Sequence, residues 1–311
     1  MYCLCLQKIQ NEKMPAEKLD IVVGIATSGR REVLARNIAT LAEQTRLPDR
    51  LVICPVREED VDESSLRAFP KPSLVVRGPV GLPAQRNKIL AAITKADIVV
   101  FFDDDFFADP RYIENLENIF VGRADVVAVT GSLIADGARG PGLTVEEGLR
   151  LIHSDTKSLS AASELTEQYG TYGCNMAFRL KPVIEHGILF DENLPLYGWQ
   201  EDIDFSLRVR PYGRIMNAVA LRGVHLGIKL GRTSGVRFGY SQIANPIYLI
   251  RKGSMSWQHA NKLMWRNIAA NVARSFFPEP WVDRKGRLKG NLLALLDVLR
   301  GRISPERILQ L

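Results

Sequence analysis

The five apolar residues Ile98-Val-Val-Phe-Phe102 stop abruptly at three consecutive carboxylates, Asp103, Asp104 and Asp105. So short an apolar run reads as a buried strand, but nothing structural asks for three acids at its end. At an effective dielectric of about 20, two carboxylates roughly 6 Å apart repel by about 3 kcal/mol. A cation beside them removes that cost. Alternation along a strand puts Asp103 and Asp105 on one face and Asp104 on the other, an Asp-x-Asp pair suited to Mg²⁺ or Mn²⁺ carrying a substrate phosphate. The alternative is a solvated acidic turn after a core strand.

The sequence before this run alternates. Strands are expected at 19–26, 51–54 and 73–77, helices at 28–45 (Leu34, Ile38 and Leu41 on one face) and from Pro83 onward (Ile89, Leu90 and Ile93). Alternation in units of this length predicts an α/β fold, a parallel sheet wound with helices. Ligands of such sheets sit outside the carboxyl ends of the strands. The acidic triplet lies at such an end, and so does Thr27-Ser-Gly-Arg30, which makes Thr27 and Arg30 candidates to meet a bound nucleotide.

After an expected strand at 126–130, a Gly/Pro/Asp-rich segment at 136–142 breaks the alternation. Beyond it the sequence suggests a helix at 145–152, strands at 175–179 and 214–220, and a polar-aromatic turn, Leu196-Tyr-Gly-Trp199, leading into Glu201 and Asp202. Glycines at 223, 227, 231, 235 and 239 suggest a long loop over 223–241 carrying Lys229, Arg232 and Arg237, placed to close as a lid. From 243 the pattern is helical and basic. The expected organisation is an N-terminal extension (1–18), a catalytic domain (19–242) and a basic helical region (243–311).

The chain of 311 residues carries a formal net charge of +6. Residues 251–311 hold twelve Lys/Arg against four Asp/Glu, and residues 1–250 hold 29 against 31, so the whole excess is C-terminal. With Trp257, Trp265, Phe276, Phe277 and Trp281 interleaved, that region suits either an appendage packed on the domain or attachment to an anionic membrane surface. No aromatic-basic reader motif for nucleic acid accompanies it. No apolar run reaches the ~18 to 20 residues of a membrane span, and the first 20 residues lack the pattern of a secretory signal. The expectation is a cytoplasmic chain, with peripheral attachment to the inner face of the membrane as the variant. Cys3, Cys5, Cys54 and Cys174 have no zinc-type spacing and read as reduced thiols.

Taken together, the Asp-x-Asp triplet, the turn into Glu201-Asp202 and a later His225 resemble glycosyltransferase family 2 on the GT-A fold. The resemblance runs from about residue 21 to 227. Gly81-Leu-Pro-Ala-Gln-Arg-Asn87 is similar to the family's Gly-x-x-x-Ala-Arg-Asn stretch, with Gln85 where Ala is usual, and Gly173-Cys-Asn-Met-Ala-Phe-Arg179 to its acceptor-side strand. Tyr197-Gly-Trp-Gln-Glu-Asp-Ile-Asp204 is similar to a segment of β-1,4-galactosyltransferases, which use a later His as metal ligand. The resemblance implies a GT-A mixed, mainly parallel sheet, a nucleotide-diphosphate sugar donor and a carbohydrate or polyprenyl-linked acceptor, typically in polysaccharide synthesis.

It also implies roles. Asp105, Asp103 and His225 would hold Mn²⁺ or Mg²⁺; Thr27, Arg30, Arg86, Asp103 and Asp104 would meet the donor; Tyr197, Trp199 and Asn175 would meet the acceptor. Asp202 would act as base and Glu201 would bind a hydroxyl, giving direct displacement with inversion. One departure stands out: the family's base-contacting Asp after the second strand is replaced by Cys54-Pro-Val-Arg57, and Glu58, Glu59 and Asp60 come slightly late. Two other readings share parts of the pattern, a sugar nucleotidyltransferase and a non-catalytic binding protein on a degenerate scaffold. The first usually has a Gly-Gly-rich loop after its first strand, and the second would have lost its carboxylates. No Gly-x-Gly-x-x-Gly follows the first strand, which removes the reason to propose a dehydrogenase.

Overall fold

The computed structural model describes residues 18–93, 95–157, 164–229 and 233–311. Strands and helices alternate first: β1 (Ile21–Thr27), α1 (Arg31–Leu41), β2 (Arg50–Pro55), α2 (Glu63–Ala68), β3 (Ser73–Val75), α3 (Leu82–Ala92) and β4 (Ile98–Asp103). There follow β5 (Phe106–Ala108), α4 (Tyr112–Gly122), β6 (Val126–Asp136), α5 (Val145–Ser154), β7 (Leu165–Glu167), β8 (Asn175–Arg179), α6 (Leu180–Glu185), α7 (Glu201–Val209) and β9 (Arg214–His225). Three long helices complete the chain: α8 (Gly235–Lys252), α9 (Trp257–Ser275) and α10 (Arg284–Leu299).

The strands form one sheet in the order β3-β2-β1-β4-β8-β6-β9-β5, with β7 paired to β9. β1 to β4 are parallel, and β8 runs antiparallel between β4 and β6. The result is the mixed, mainly parallel sheet expected. β1 is apolar up to Thr27 because both its faces are covered: Ile21, Val23 and Ile25 pack with Leu34 and Ile38 of α1, whereas Val22 packs with Ile89 of α3 and Phe101 of β4.

Register then builds the site. Ala26 pairs with Asp103, which sets the end of β1 beside the acidic triplet. The strand stops there, Asp104 and Asp105 make a turn, and β5 pairs antiparallel with β9 so that Phe106 faces His225. On its other side β9 pairs with β6, Asp136 opposite His225. β6 and β9 both outrun their expected ends because bulges at Gly131/Ser132 and Leu133/Ala135 carry the pairing through sequence with no simple alternation.

The expected 223–241 loop is shorter at both ends among the described residues. β9 continues to His225, and α8 starts at Gly235, eight residues before the helical region was expected to begin; Arg232 lies outside the described residues. Gly239, with Gly290 opposite, forms a packing seam between α8 and α10. A Cβ on Gly239 would lie 2.0 Å from the carbonyl of Arg287, and one on Gly290 2.1 Å from that of Val236, so α8 and α10 approach backbone to backbone. Trp257 and Phe276 are exposed on the outside of the bundle.

Candidate active site

Asp103, Asp105 and His225 converge, with one ligand atom from each lying within 4.8 Å of the others. Asp105 is held by the chain that follows β9: Leu226 N–H donates to its carbonyl at 2.9 Å and Ile228 N–H to its Oδ2 at 2.9 Å. Its Oδ1 is buried and accepts no hydrogen bond among the described residues, with His225 Nε2 3.5 Å away. An orphaned buried oxygen beside an imidazole and a second carboxylate is the donor set of a hard or borderline divalent ion. The residues therefore fit Mn²⁺ or Mg²⁺. In the protein alone, burial pushes the Asp105 carboxyl up but His225 and Arg30 outweigh it and hold it low. Burial pushes His225 down, and the carboxylates of Asp105 and Asp136 beside it outweigh that and raise it to about 10.

Asp136 is a member of the site that no sequence motif announces. Its Oδ1 lies 2.9 Å from His225 Nδ1, and Tyr172 donates its hydroxyl to Oδ2 at 3.3 Å. With Nδ1–H given to Asp136, loss of the Nε2 proton would leave that nitrogen free for a cation beside Asp105, the arrangement in which an outer carboxylate fixes the tautomer of a metal-binding imidazole. Strand pairing across two bulges creates this contact, and no sequence spacing encodes it.

Four of the residues expected to meet the donor, Thr27, Arg30, Asp104 and Arg86, make hydrogen bonds or ion pairs within the protein. Asp104 turns from the cation site and accepts from Thr27 Oγ1 at 2.7 Å and from Arg30 Nη1 at 2.8 Å, which braces β1 against β4. Arg30 also stands 3.3 Å from Asp105 Oδ2. Arg86, expected to face a diphosphate, is buried with its guanidinium on Glu201 Oε1, Asp103 Oδ1 at 3.0 Å and the carbonyl of Gly173 at 2.8 Å. It links the cation site to the Glu201-Asp202 pair. The unusual Gln85 closes the neighbouring strand ends, its amide donating to the carbonyls of Thr27 (3.0 Å) and Cys54 (2.7 Å) where β1 and β2 finish. The late Asp60 folds back through a short 3₁₀ turn to accept from Gly29 N–H at 2.9 Å.

Glu201 and Asp202 open α7, where carboxylates suit the helix dipole. Glu201 is buried against Arg86; burial outweighs that cation, and repulsion from Asp202 adds to it, raising the carboxyl to about 8. Asp202 is half-buried. Its Oδ2 accepts from Gly173 N–H at 2.9 Å, and burial raises it above the ordinary carboxylate range despite Arg86. One residue thus serves both partners, the N–H of Gly173 holding Asp202 and its carbonyl holding Arg86. The turn before α7 is forced: Leu196 (φ 60°), Gly198 (φ 59°) and Gln200 (φ 78°) are all left-handed, backbone strain of the kind that marks functional turns.

Of the residues expected to meet an acceptor, Tyr197 is exposed and Trp199 half-buried, and both lie against Phe238 of α8, with ring centroids 6.0 and 5.9 Å from it. Asn175 is fully buried, its Oδ1 accepting from Thr130 Oγ1 at 2.8 Å and Gly131 N–H at 3.0 Å. A polar cavity of about 560 Å³ opens beside this strand, lined by Ser132, Asp136, Gln168, Tyr172 and Asn217 among others. Asp204 is a structural member: fully buried, it pairs with Arg208 of its own helix at 2.7 Å and with Lys252 of α8 at 2.9 Å.

A curled, mainly parallel sheet with an Asp-x-Asp and a histidine gathered at its strand ends defines a glycosyltransferase of the GT-A fold. The chain belongs to glycosyl transferase family 2, whose family model matches residues 22–187. A glucosyl-dolichyl phosphate glucuronosyltransferase of Haloferax volcanii is 28% identical over 182 residues, which span 55% of each chain; the match thus covers about half of that relative's length. Among solved structures, GalNAc-T7 with UDP, GalNAc and Mn²⁺ superposes with a TM-score of 0.57 at 13% identity, covering 94% of this chain and 57% of that one. The mannosyltransferase PcManGT of Pyrobaculum calidifontis, in complex with GDP-Man and Mn²⁺, gives 0.54 at 16% identity, covering 96% and 89%.

Proposed function

We propose that this enzyme is a metal-dependent, inverting glycosyltransferase that moves a sugar from a nucleoside-diphosphate donor to a carbohydrate or polyprenyl-linked oligosaccharide acceptor in polysaccharide synthesis, working at the cytoplasmic face of a membrane. The observation that carries it is the pairing of two carboxylate centres through one buried cation: Asp103, Asp105 and His225 on one side of Arg86, Glu201 and Asp202 on the other.

In the reaction, the acceptor oxygen bonds to the anomeric carbon as the bond from that carbon to the phosphate oxygen breaks, its electron pair leaving with the nucleoside diphosphate. Asp202 takes the acceptor proton; its carboxyl, raised by burial, is a stronger base than a solvent-exposed aspartate. Bound Mn²⁺ or Mg²⁺ would stabilise charge on the departing diphosphate. Arg86 holds Glu201 and Asp103 in place, and Glu201 would hydrogen-bond a sugar hydroxyl. The polar cavity beside Asp136 is the space for the acceptor, and Tyr197 and Trp199 would offer ring faces to its sugars. The Haloferax relative is named for a dolichyl-phosphate substrate, which supports a lipid-linked acceptor here.

Calorimetric titration with UDP and with GDP, each with Mn²⁺ and with EDTA, tests the donor site. One nucleotide is expected to bind only with metal, and Asp105→Ala to abolish it. Asp202→Asn is expected to lower kcat by about 10² to 10⁴ while the nucleotide Kd stays within about twofold, since it removes the base and leaves the donor site intact. Folded protein that binds neither nucleotide, or an Asp202→Asn variant turning over at the wild-type rate, would overturn the reading.

A further inference from the structure

The C-terminal helices leave apolar surface that the chain does not cover. On α9, Trp265, Val272 and Phe276 recur at intervals of seven and four residues, with Ala269 between, so they share one side of the helix. That side faces outward: Trp265 is 61% and Phe276 76% exposed. The buried residues Ala260, Met264 and Asn271 occupy the opposite side. The connector to α10 continues the surface with Phe277, 87% exposed. On α10, Leu292, Leu296 and Leu299 repeat the arrangement, preceded on the same side by Lys285 and Lys289.

Charge decides what covers it. Lys262 and Arg266 are exposed along one edge of the α9 stripe, and no ion pair among the described residues engages them. The acids of this region are mostly consumed internally. Glu279 pairs with Arg274 and Arg284, Asp297 with Arg302 and Tyr240, and Asp283 caps α10. What remains at the surface is an apolar stripe with indole and phenyl rings, flanked by cations. A second copy of the chain would set those cations against their own kind. An anionic bilayer matches both parts, headgroups to the cations and the acyl boundary to the rings.

We infer that α9, its connector and α10 form a docking surface for an anionic membrane. The surface is rigidly tied to the catalytic part. Asn245 of α8 donates to the carbonyl of Trp199 at 2.8 Å, Phe238 packs on the same turn, and α8 packs against both α9 and α10. The choice of a membrane-linked acceptor rests on the sugar-transfer reading above; the docking surface itself does not.

Sedimentation of the full chain with phosphatidylcholine vesicles, with and without phosphatidylglycerol, tests it. Binding is expected to need phosphatidylglycerol and to weaken with salt. Trp265→Ser combined with Phe276→Ser is expected to lower vesicle partitioning about tenfold or more, and Lys262→Glu with Arg266→Glu by at least about fivefold per charge removed. Metal-nucleotide affinity is expected to be unchanged in both variants, which shows that they are folded and reads the donor site separately. Absence of binding to anionic vesicles, wild-type binding by both variants, or a dimer dissolved by the Trp265/Phe276 changes in place of vesicle binding would overturn the inference. Loss of nucleotide binding with vesicle binding intact would instead count against the transfer reading alone.

Discussion

At the scale of single residues, several acids with one charge type have different jobs, set by what each touches. Asp105 keeps a buried oxygen unpartnered, Asp104 is saturated by Thr27 and Arg30, and Asp136 addresses the far nitrogen of His225. The last assignment predicts that Asp136→Ala weakens Mn²⁺ binding about 10- to 100-fold by freeing the imidazole to rotate. Asp136→Asn, which keeps a neutral acceptor for Nδ1–H, is expected to recover part of that loss. Electron paramagnetic titration of free Mn²⁺ reads both variants without turnover, and wild-type affinity in Asp136→Ala would remove the residue from the site. Asp103, Asp105 and His225 were legible because their residue types and order carry chemistry. Asp136 was not, because a lone aspartate ending a strand takes meaning only from cross-strand register. Arg86 was legible as important but not in its direction: sequence shows a cation expected near a diphosphate and cannot show that its guanidinium is turned onto the carboxylates of Glu201 and Asp103.

At the scale of elements, runs that are apolar on both faces were readable, and β1, β2, β4 and β8 lie where their residues predict. The misread segment was 223–241. Glycines four apart permit a loop, but they equally permit two helices to touch along their backbones, and only the partner helix distinguishes the cases. Composition marks the Leu196–Gln200 turn but does not reveal its strain. A methyl group at Gly198 would lie 2.6 Å from Pro83 Cγ at a φ that favours glycine. Gly198→Ala is therefore expected to cost about 2 kcal/mol of stability, measured by urea unfolding, and to lower activity by moving Glu201 and Asp202. A variant as stable and active as the parent would show the turn to be free to relax.

At the scale of the whole molecule, α8 is the strut between sheet and bundle. At its C-terminal end Lys252 reaches Asp191 at 2.6 Å and Asp204 at 2.9 Å. Burial raises the Asp191 carboxyl, but the bonds from Lys252 and Tyr248 outweigh it and the net shift is downward. A carboxylate depressed in the folded state contributes stability that is present above its unfolded pKa, near 4, and is lost as pH falls through the folded value. Lys252→Met is expected to cost about 1.5 to 3 kcal/mol at neutral pH, with the gap to wild type closing as pH drops below about 4. Denaturant titrations across that range check the sign; a gap that widens in acid would contradict it. The strut also bears on how such enzymes can exchange parts. The change to a basic helical composition near residue 243 falls inside α8, so a recombination crossover there would separate Phe238 and Asn245 into different parents. A crossover that keeps Phe238, Asn245 and Lys252 together falls before α8 or after it, and only the first passes on the α9–α10 bundle with the whole helix it packs against.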